Sequence, residues 1–370
     1  MGARSSCKRG IEPRCDLHHG WAASVRAVAR GEDDEQFAWF GGRLGTRLTE
    51  VRHDVLGLDN GGWWALVVDF EGAVTAARFE RVRDDAPLPG ARRAWAPLAS
   101  PWRMSLDRPT YEAAVREVRR RIENGDVYQV NICRVLEHDL DDGADLLALA
   151  AYTTVANPAP YAGVVHFGEV EIVCASPELF VRRAGDLVVT GPIKGTAVTP
   201  ELLRDKDIDE NVMIVDLARN DLSLVSEPGS VRVDDLLAVE RHPGLAHLVS
   251  RVSGRLKAGT SWGQLLAATL PPASVTGAPK STALQAIHDL EPVSRGPYCG
   301  AIGWVNADAR TAELAVGIRT FWAATSGGRR VLRFGTGAGI TWGSDPTGEW
   351  AETELKAHRL VGLASGRVMP

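Results

Sequence analysis

The residue pattern predicts an α+β fold in which antiparallel strands form the sheet and helices come in blocks. Three observations lead there. Short apolar runs follow one another across tight turns, as at Gly168 and at Gly185 with Asp186, and strands joined that way pair antiparallel. Helical stretches are grouped instead of following each strand, which argues against a doubly wound parallel sheet. The one glycine-rich string that resembles a dinucleotide fingerprint, GTGAGI (335–340), has Ile340 where its third glycine belongs.

Taken in order, the runs Trp63–Phe70 and Ala73–Phe79 suggest a small β-rich lobe over residues 1–100. The stretch 84–109, rich in Pro and Ala and without either period, marks a boundary, and a second domain is expected over 105–365. Tyr111, Ala114, Val115, Val118 and Ile122 make a helical stripe that stops at Gly125. In the strand VYQVNICRVL (127–136), Tyr128, Val130 and Ile132 point one way and Gln129, Asn131 and Cys133 the other. Strand runs follow at 162–167, 170–176, 179–183 and 187–190, and helices are predicted over 207–222, 245–253, 279–290 and 345–363.

Composition narrows the function classes. The 370 residues exceed the roughly 250 to 300 at which one core stops growing, so two lobes or a composite domain are expected. A net charge of -5 supplies no basic field for coating nucleic acid. Five scattered cysteines, an odd number, argue for a reducing compartment, hence a cytoplasmic protein. The longest uncharged run, 146–167, is broken by Asn157, Pro158, Pro160 and Gly163, and residues 1–30 lack a signal-peptide core, so no membrane association is expected.

Only six of the 42 Lys and Arg residues are lysine, so each lysine raises the question of whether an amine is required. Lys194 stands in GPIKGT, read as a turn closing a hairpin, where it is either an exposed turn residue or a desolvated nucleophilic amine. Lys280 follows Pro279 at a helix start, where backbone donors can meet an anion; the string is not a P-loop. Glu349, Glu352 and Lys356 fall on one helix face, either a solvated ion-paired face or, with Asp207 and Glu210, two acidic pairs suited to Mg²⁺. The alternating glycines of GAGI read equally as an anion-binding backbone or a plain turn. His247, in an apolar stripe, reads as a packing histidine or a site group. Arg319 is the one charge in AVGIRTFW, and a substrate carboxylate is a natural partner.

Ten strings carry a wider likeness: VYQVNICR, SPELF, GPIKGT, ENVMIVDLARNDL, HLVSRV, SVTGAPKSTALQAIHDLEP, RGPYCGAIGW, IRT, GAGI and EWAETELKAHRL. In order from Asp126 to Leu360, they resemble the chorismate-utilising enzymes, the family of anthranilate synthase and aminodeoxychorismate synthase large subunits and of isochorismate and salicylate synthases. The resemblance implies an anthranilate synthase component I-like layered sandwich, with antiparallel sheets at the core and helices outside.

It also implies roles. Relatives that add water to chorismate carry a lysine base where this chain has Gln129, and anthranilate synthases typically have alanine at the position of Lys194. Lysine there resembles aminodeoxychorismate synthase, in which the amine attacks C2 of chorismate and ammonia then attacks C4 and expels it, giving 4-amino-4-deoxychorismate, a precursor of 4-aminobenzoate and folate. Glu178 would be acid and base. Glu210 and Glu352 would hold Mg²⁺, backed by Asp207 and Glu349. Tyr298, Arg319, Gly337, Ala338, Gly339 and Lys356 would grip the enolpyruvyl carboxylate and its surroundings, and Gln129, Gly195, Thr196, His247 and Ser274 would line the pocket.

Ammonia would come from a glutamine amidotransferase subunit. Anthranilate synthase component I and 2-amino-2-deoxyisochorismate synthase are the alternatives. A silent chorismate-binding protein is a third, against which intact Glu178, Glu210 and Glu352 speak. Trp350 stands where relatives often have Tyr, and Gly343 and Ser344 replace a DS pair. The N-terminal lobe is shorter than usual and lacks the string of tryptophan-inhibited relatives.

Overall fold

The computed structural model describes residues 25–27, 36–197, 205–242 and 245–368. Its first strands are β1 (Val25–Ala27), β2 (Phe37–Phe40), β3 (Arg43–Arg52), β4 (Trp63–Val68) and β5 (Val74–Arg83). A short β6 (Arg103–Met104) precedes α1 (Arg108–Glu123), β7 (Gln129–Asp139) and α2 (Leu146–Ala156). Five strands follow: β8 (Tyr161–Phe167), β9 (Val170–Ser176), β10 (Leu179–Ala184), β11 (Leu187–Gly191) and β12 (Ile193–Ala197). Next come α3 (Asp205–Ser223), β13 (Arg232–His242), β14 (Leu245–Arg255), α4 (Trp262–Thr269), β15 (Gly277–Ala278) and α5 (Lys280–Leu290). The chain closes with β16 (Ala301–Asn306), β17 (Thr311–Val316), β18 (Thr320–Ser326), β19 (Arg329–Ile340) and α6 (Pro346–Ala364).

Every strand pairing among the described residues is antiparallel, as the tight turns predict. Followed through its hydrogen-bonded neighbours, the sheet runs β15–β7–β19–β18–β9–β8–β2–β3–β5–β4–β16–β17–β10–β11–β14–β13, with β12 also on β14. The 84–109 stretch is irregular apart from β6 and the first residues of α1, yet the sheet continues across it: β2 pairs with β8 and β4 with β16. One apolar cluster likewise joins Trp64 and Leu66 to Val305 and Leu314.

Helix starts follow local chemistry. Asp107 accepts from the Thr110 N–H at the start of α1, and Asp345 accepts from Gly348 N–H at the start of α6, where Pro346 fits the first turn. None of the described helices is long and apolar enough to cross a membrane.

One predicted helix is a strand. Residues 245–253, which include His247, belong to β14, flanked by β11 and β12 on one edge and β13 on the other. A central strand is buried on both faces, as Leu248, Val249, Ser250 and Val252 are, and two-sided burial imitates helical spacing. Helix α2 escaped detection for a related reason: LLALAAYTTVA is apolar at almost every position and shows no period.

Beneath the sheet lies a buried ion pair. Arg295 donates from Nε and Nη2 to Glu291 at 2.8 and 2.6 Å, and Nη1 and Nη2 also donate to the carbonyls of Val275 at 2.8 Å and Asn131 at 2.7 Å. The guanidinium stacks on Phe70, 4.2 Å from the ring centre. Glu291 also accepts from the Cys133 N–H at 2.8 Å, tying the loop after α5 to β7. Removing one partner strands a buried charge, so Glu291→Ala is expected to cost about 3–5 kcal/mol in urea unfolding. The apolar pair Glu291→Leu with Arg295→Met should recover most of that loss; an equal loss in both variants would contradict the account.

Candidate active site

The two ends of the sheet meet across a cleft. From one end come Gln129 at the start of β7 and Gly337, Ala338 and Gly339 near the end of β19; from the other comes Lys194 on β12. A Cβ placed on Gly339 would lie 2.4 Å from Gln129 Nε2 and 3.2 Å from Lys194 Nζ, so a side chain there would push these two ends from their present places. Gln129 is buried.

GAGI is neither a turn nor a curled anion nest. It is extended strand, with Gly337 opposite Cys133 and Gly339 opposite Asn131. β18 parts from β19 beyond the Phe321–Phe334 pair, so residues 335–340 have a strand neighbour, β7, on one edge alone. On the other edge, the Gly337 carbonyl accepts from Lys356 Nζ at 3.0 Å. A strand residue points its N–H and C=O the same way, so Gly337 and Gly339 both present amide N–H groups along that open edge.

Lys194 also lies in a strand rather than in a turn, paired with Leu248 of β14. The register slips between Lys194 and Thr196, a bulge at Gly195 of the kind that re-aims a side chain. Thr196 stands opposite His247, which brings that histidine's backbone to the same edge; the side chains of Thr196 and His247 lie outside the described residues. Lys194 Nζ is 3.8 Å from Glu210 Oε2 on α3, with each side chain nearly buried.

Glu178, in the corner between β9 and β10, is 3% exposed. Burial pushes its pKa up to about 7, against opposing effects of a hydrogen bond with Ser274, the charge of Lys194, the Ile193 N–H and the charge of Lys356. A carboxyl poised near neutrality can both give and take a proton. Beside it, Ser274, Thr190, Thr269 and Asp221 line a cavity of about 30 Å³, room for one or two waters.

On α6, Glu349, Glu352 and Lys356 share one face, as their spacing implies. Lys356 Nζ sits 2.7 Å from Glu352 Oε1. Burial acts to lower the Lys356 pKa, but the charge and hydrogen bond of Glu352 and the charges of Glu349 and Glu210 outweigh it and hold the pKa above its ordinary value. Carboxylates from α3 and α6 therefore converge, each near a lysine. This hard oxygen set suits Mg²⁺, which takes few protein carboxylates and completes its shell with water and substrate. Among the described residues no three His, Cys, Asp or Glu side chains cluster as a metal cage. Asp207 lies in the first turn of α3, its side chain outside the described residues.

Arg319, half-buried in the left-handed region at φ 51°, has no ion-pair partner among the described residues, and burial lowers its pKa. An unpaired, partly desolvated guanidinium suits an anionic ligand. Tyr298 is buried, fills the space a Gly335 side chain would need, and lies 3.9 Å from Cys133 Sγ through its hydroxyl. Lys280 is committed to Asp221 at 2.8 Å, linking α5 to α3 rather than offering a free ammonium. Sequence reasoning passed over Arg134, Glu291 and Arg295; a charge amid apolar residues, the signal that marked Arg319, also marks Arg134 in NICRVL.

Residues 71–362 match the family model described as chorismate binding enzyme. Anthranilate synthase component 1 of Haloferax volcanii is 37% identical over 304 residues, 78% of this chain and 56% of that protein. Its counterpart in Saccharolobus solfataricus is 38% identical over 271 residues, 70% of this chain and 62% of that protein. The chain spans somewhat over half the length of the curated relatives it matches. Among solved structures, a putative 2,3-dihydroxybenzoate-specific isochorismate synthase of Bacillus anthracis superposes with TM-score 0.76 at 22% identity, covering 90% of this chain and 97% of that one. Anthranilate synthase component I of Streptococcus pneumoniae superposes with TM-score 0.71 at 23% identity, covering 98% and 95%. The fold is thus the anthranilate synthase component I-like architecture.

The Glu178 environment has a thermodynamic consequence. Its folded pKa of about 7 lies above the ordinary 4.5, so the folded state holds a proton that the unfolded state releases between those values. Stability from this group therefore falls as pH rises through that window. Glu178→Gln, which cannot ionise, should melt close to wild type at pH ~5 and gain on it at pH ~8. Melting curves with the same offset at both pH values would rule out a raised pKa.

Proposed function

We propose, from the premise that this chain belongs to the chorismate-binding enzyme family, that it aminates C4 of chorismate as an aminodeoxychorismate synthase large subunit. The observation that carries this reading is the lysine amine at 194, held between Gly339, Gln129 and Glu210 and facing the near-neutral Glu178. An arginine there would have no amine lone pair to offer.

The chemistry balances with these groups alone. Lys194 first gives its proton to the Glu178 carboxylate; the neutral amine then attacks C2, the ring double bonds shift, and the C4 hydroxyl leaves as water with that proton. A C2-bound ammonium and a Glu178 carboxylate remain. Ammonia then attacks C4, the double bonds shift back, and the C2–N bond breaks to release Lys194 as a neutral amine. Glu178 recovers its proton from the new C4 ammonium. The sum is chorismate plus ammonia to 4-amino-4-deoxychorismate plus water.

Arg319, Lys356 and the open-edge N–H groups of Gly337 and Gly339 would receive the enolpyruvyl carboxylate, with Tyr298 and Ala338 shaping the strand behind them. Gln129, Gly195, Thr196, Ser274 and His247 would line the reacting face. Glu210 and Glu352 would hold Mg²⁺, with Asp207 and Glu349 behind them. When bound, the ion would neutralise the ring carboxylate and fix the ring. Ammonia would be supplied by a glutamine amidotransferase partner, and the free thiols of Cys133, Cys174 and Cys299 suit a cytoplasmic setting.

A second reading, anthranilate synthase component I, is favoured by the shared name of the relatives at 37–38% identity. In that reading ammonia adds at C2 and no covalent lysine adduct forms.

Incubation of the purified protein with chorismate, Mg²⁺ and ammonium, followed by mass and retention analysis, separates the two. The expected product is 4-amino-4-deoxychorismate; accumulation of anthranilate overturns the lead reading. Lys194→Ala should abolish C4 amination, and a variant that retains the product at full rate excludes the covalent route. Glu178→Gln should slow turnover by about 10²- to 10⁴-fold.

A further inference from the structure

The helix that carries the acidic face is held by a buried arginine to which nothing above assigns a task. Arg134 lies in the middle of β7 with its side chain fully buried and its guanidinium 4.1 Å over the ring of Trp350. Its Nε donates to Thr353 Oγ1 at 3.0 Å, and its Nη2 pairs with Glu354. Trp350 is supported from behind by the edge of Tyr111 of α1 at 5.7 Å, and Thr336 Oγ1 of β19 donates to the Thr353 carbonyl at 2.8 Å.

The spacing makes this an orientation device. Residues 350, 353 and 354 lie at i, i+3 and i+4 and form one face of α6, while Glu349, Glu352 and Lys356 form the neighbouring face. A helix turns about 100° per residue, so a small rotation about its axis would swing those carboxylates out of the cleft. Apolar packing resists such rotation weakly, because it has no direction. A guanidinium that stacks and donates along fixed vectors resists it strongly. Burial lowers the Arg134 pKa, with Glu354 pushing back, so the charge carries a desolvation cost that an apolar side chain would avoid.

We propose that Arg134, stacked on Trp350 and bonded to Thr353 and Glu354, is a positioning residue that sets the rotation of α6 and thereby aims Glu349, Glu352 and Lys356 at the bound substrate and its metal. This rests on the metal and chorismate reading of the preceding subsection.

The test compares Arg134→Lys, Glu354→Gln and Trp350→Tyr with wild type. Mn²⁺ binding is read by electron paramagnetic resonance without turnover, KM for chorismate and kcat by product formation, and folding by circular dichroism. Arg134→Lys, which neither stacks flat nor donates along two vectors, should weaken Mn²⁺ about 10- to 100-fold and raise KM, with kcat at saturation within about threefold of wild type. Trp350→Tyr keeps an aromatic face and should stay near wild type in all three. If Arg134→Lys fails to fold, Glu354→Gln at the half-exposed end of the clamp decides, with a smaller loss of Mn²⁺ affinity expected. Wild-type Mn²⁺ affinity and KM in a folded Arg134→Lys, or in Glu354→Gln where the lysine variant does not fold, overturn the clamp alone. Failure of the wild type itself to bind Mn²⁺ and chorismate overturns the functional reading and the clamp with it.

Discussion

The rest of the molecule depends on the long antiparallel ladder between β7 and β19, which runs from the Asp139–Val331 pair to the Val130–Ile340 pair. One strand carries Gln129, Cys133 and Arg134; the other carries Gly335, Gly337 and Gly339. The glycines alternate because one face of β19 has no space for side chains. The Tyr298 ring occupies the Cβ position of Gly335, Cys133 Sγ crowds that of Gly337, and Gln129 and Lys194 crowd that of Gly339. Close approach, rather than backbone freedom, accounts for this stretch, since none of the three has a left-handed φ.

Around that ladder the protein concentrates charge where water is scarce. Lys194 and Lys356 lie among Glu178, Glu210, Glu349 and Glu352, contributed by β12, α3, α6 and the β9–β10 corner. Each sign moderates the burial of the other, and Glu178 is left poised near neutral pH. The Arg295–Glu291 pair shows the same balance in a structural setting, with each guanidinium nitrogen donating to protein. Arg319 is the contrast: it has no ion-pair partner among the described residues.

Much of this was legible in the chain. The tight turns between 162 and 190 announced antiparallel pairing, and the stripe from Tyr111 to Ile122 announced α1. The i, i+3, i+7 spacing of Glu349, Glu352 and Lys356 placed them on one face. The ordered strings from Asp126 to Leu360 pointed to the family before any contact was known. The environments of GPIKGT, GAGI and 245–253 were misread for one shared reason: each is strand whose neighbours come from remote parts of the chain. Lys194 pairs with Leu248, Gly339 with Asn131, and Val249 with Ile193.

Local chemistry and motif order therefore determined by themselves the class of fold, the helix starts and the residue types available for catalysis. Only the tertiary structure decided which of them meet. Lys194 and Gly339 lie 145 residues apart and on strands with no direct pairing, yet the curl of the sheet brings the amine beside the glycine. The pKa of Glu178 and the seat of Arg134 under Trp350 likewise depend on burial, a property of the assembled core. Such proximity arises from long-range packing, whose partners no local window of sequence contains.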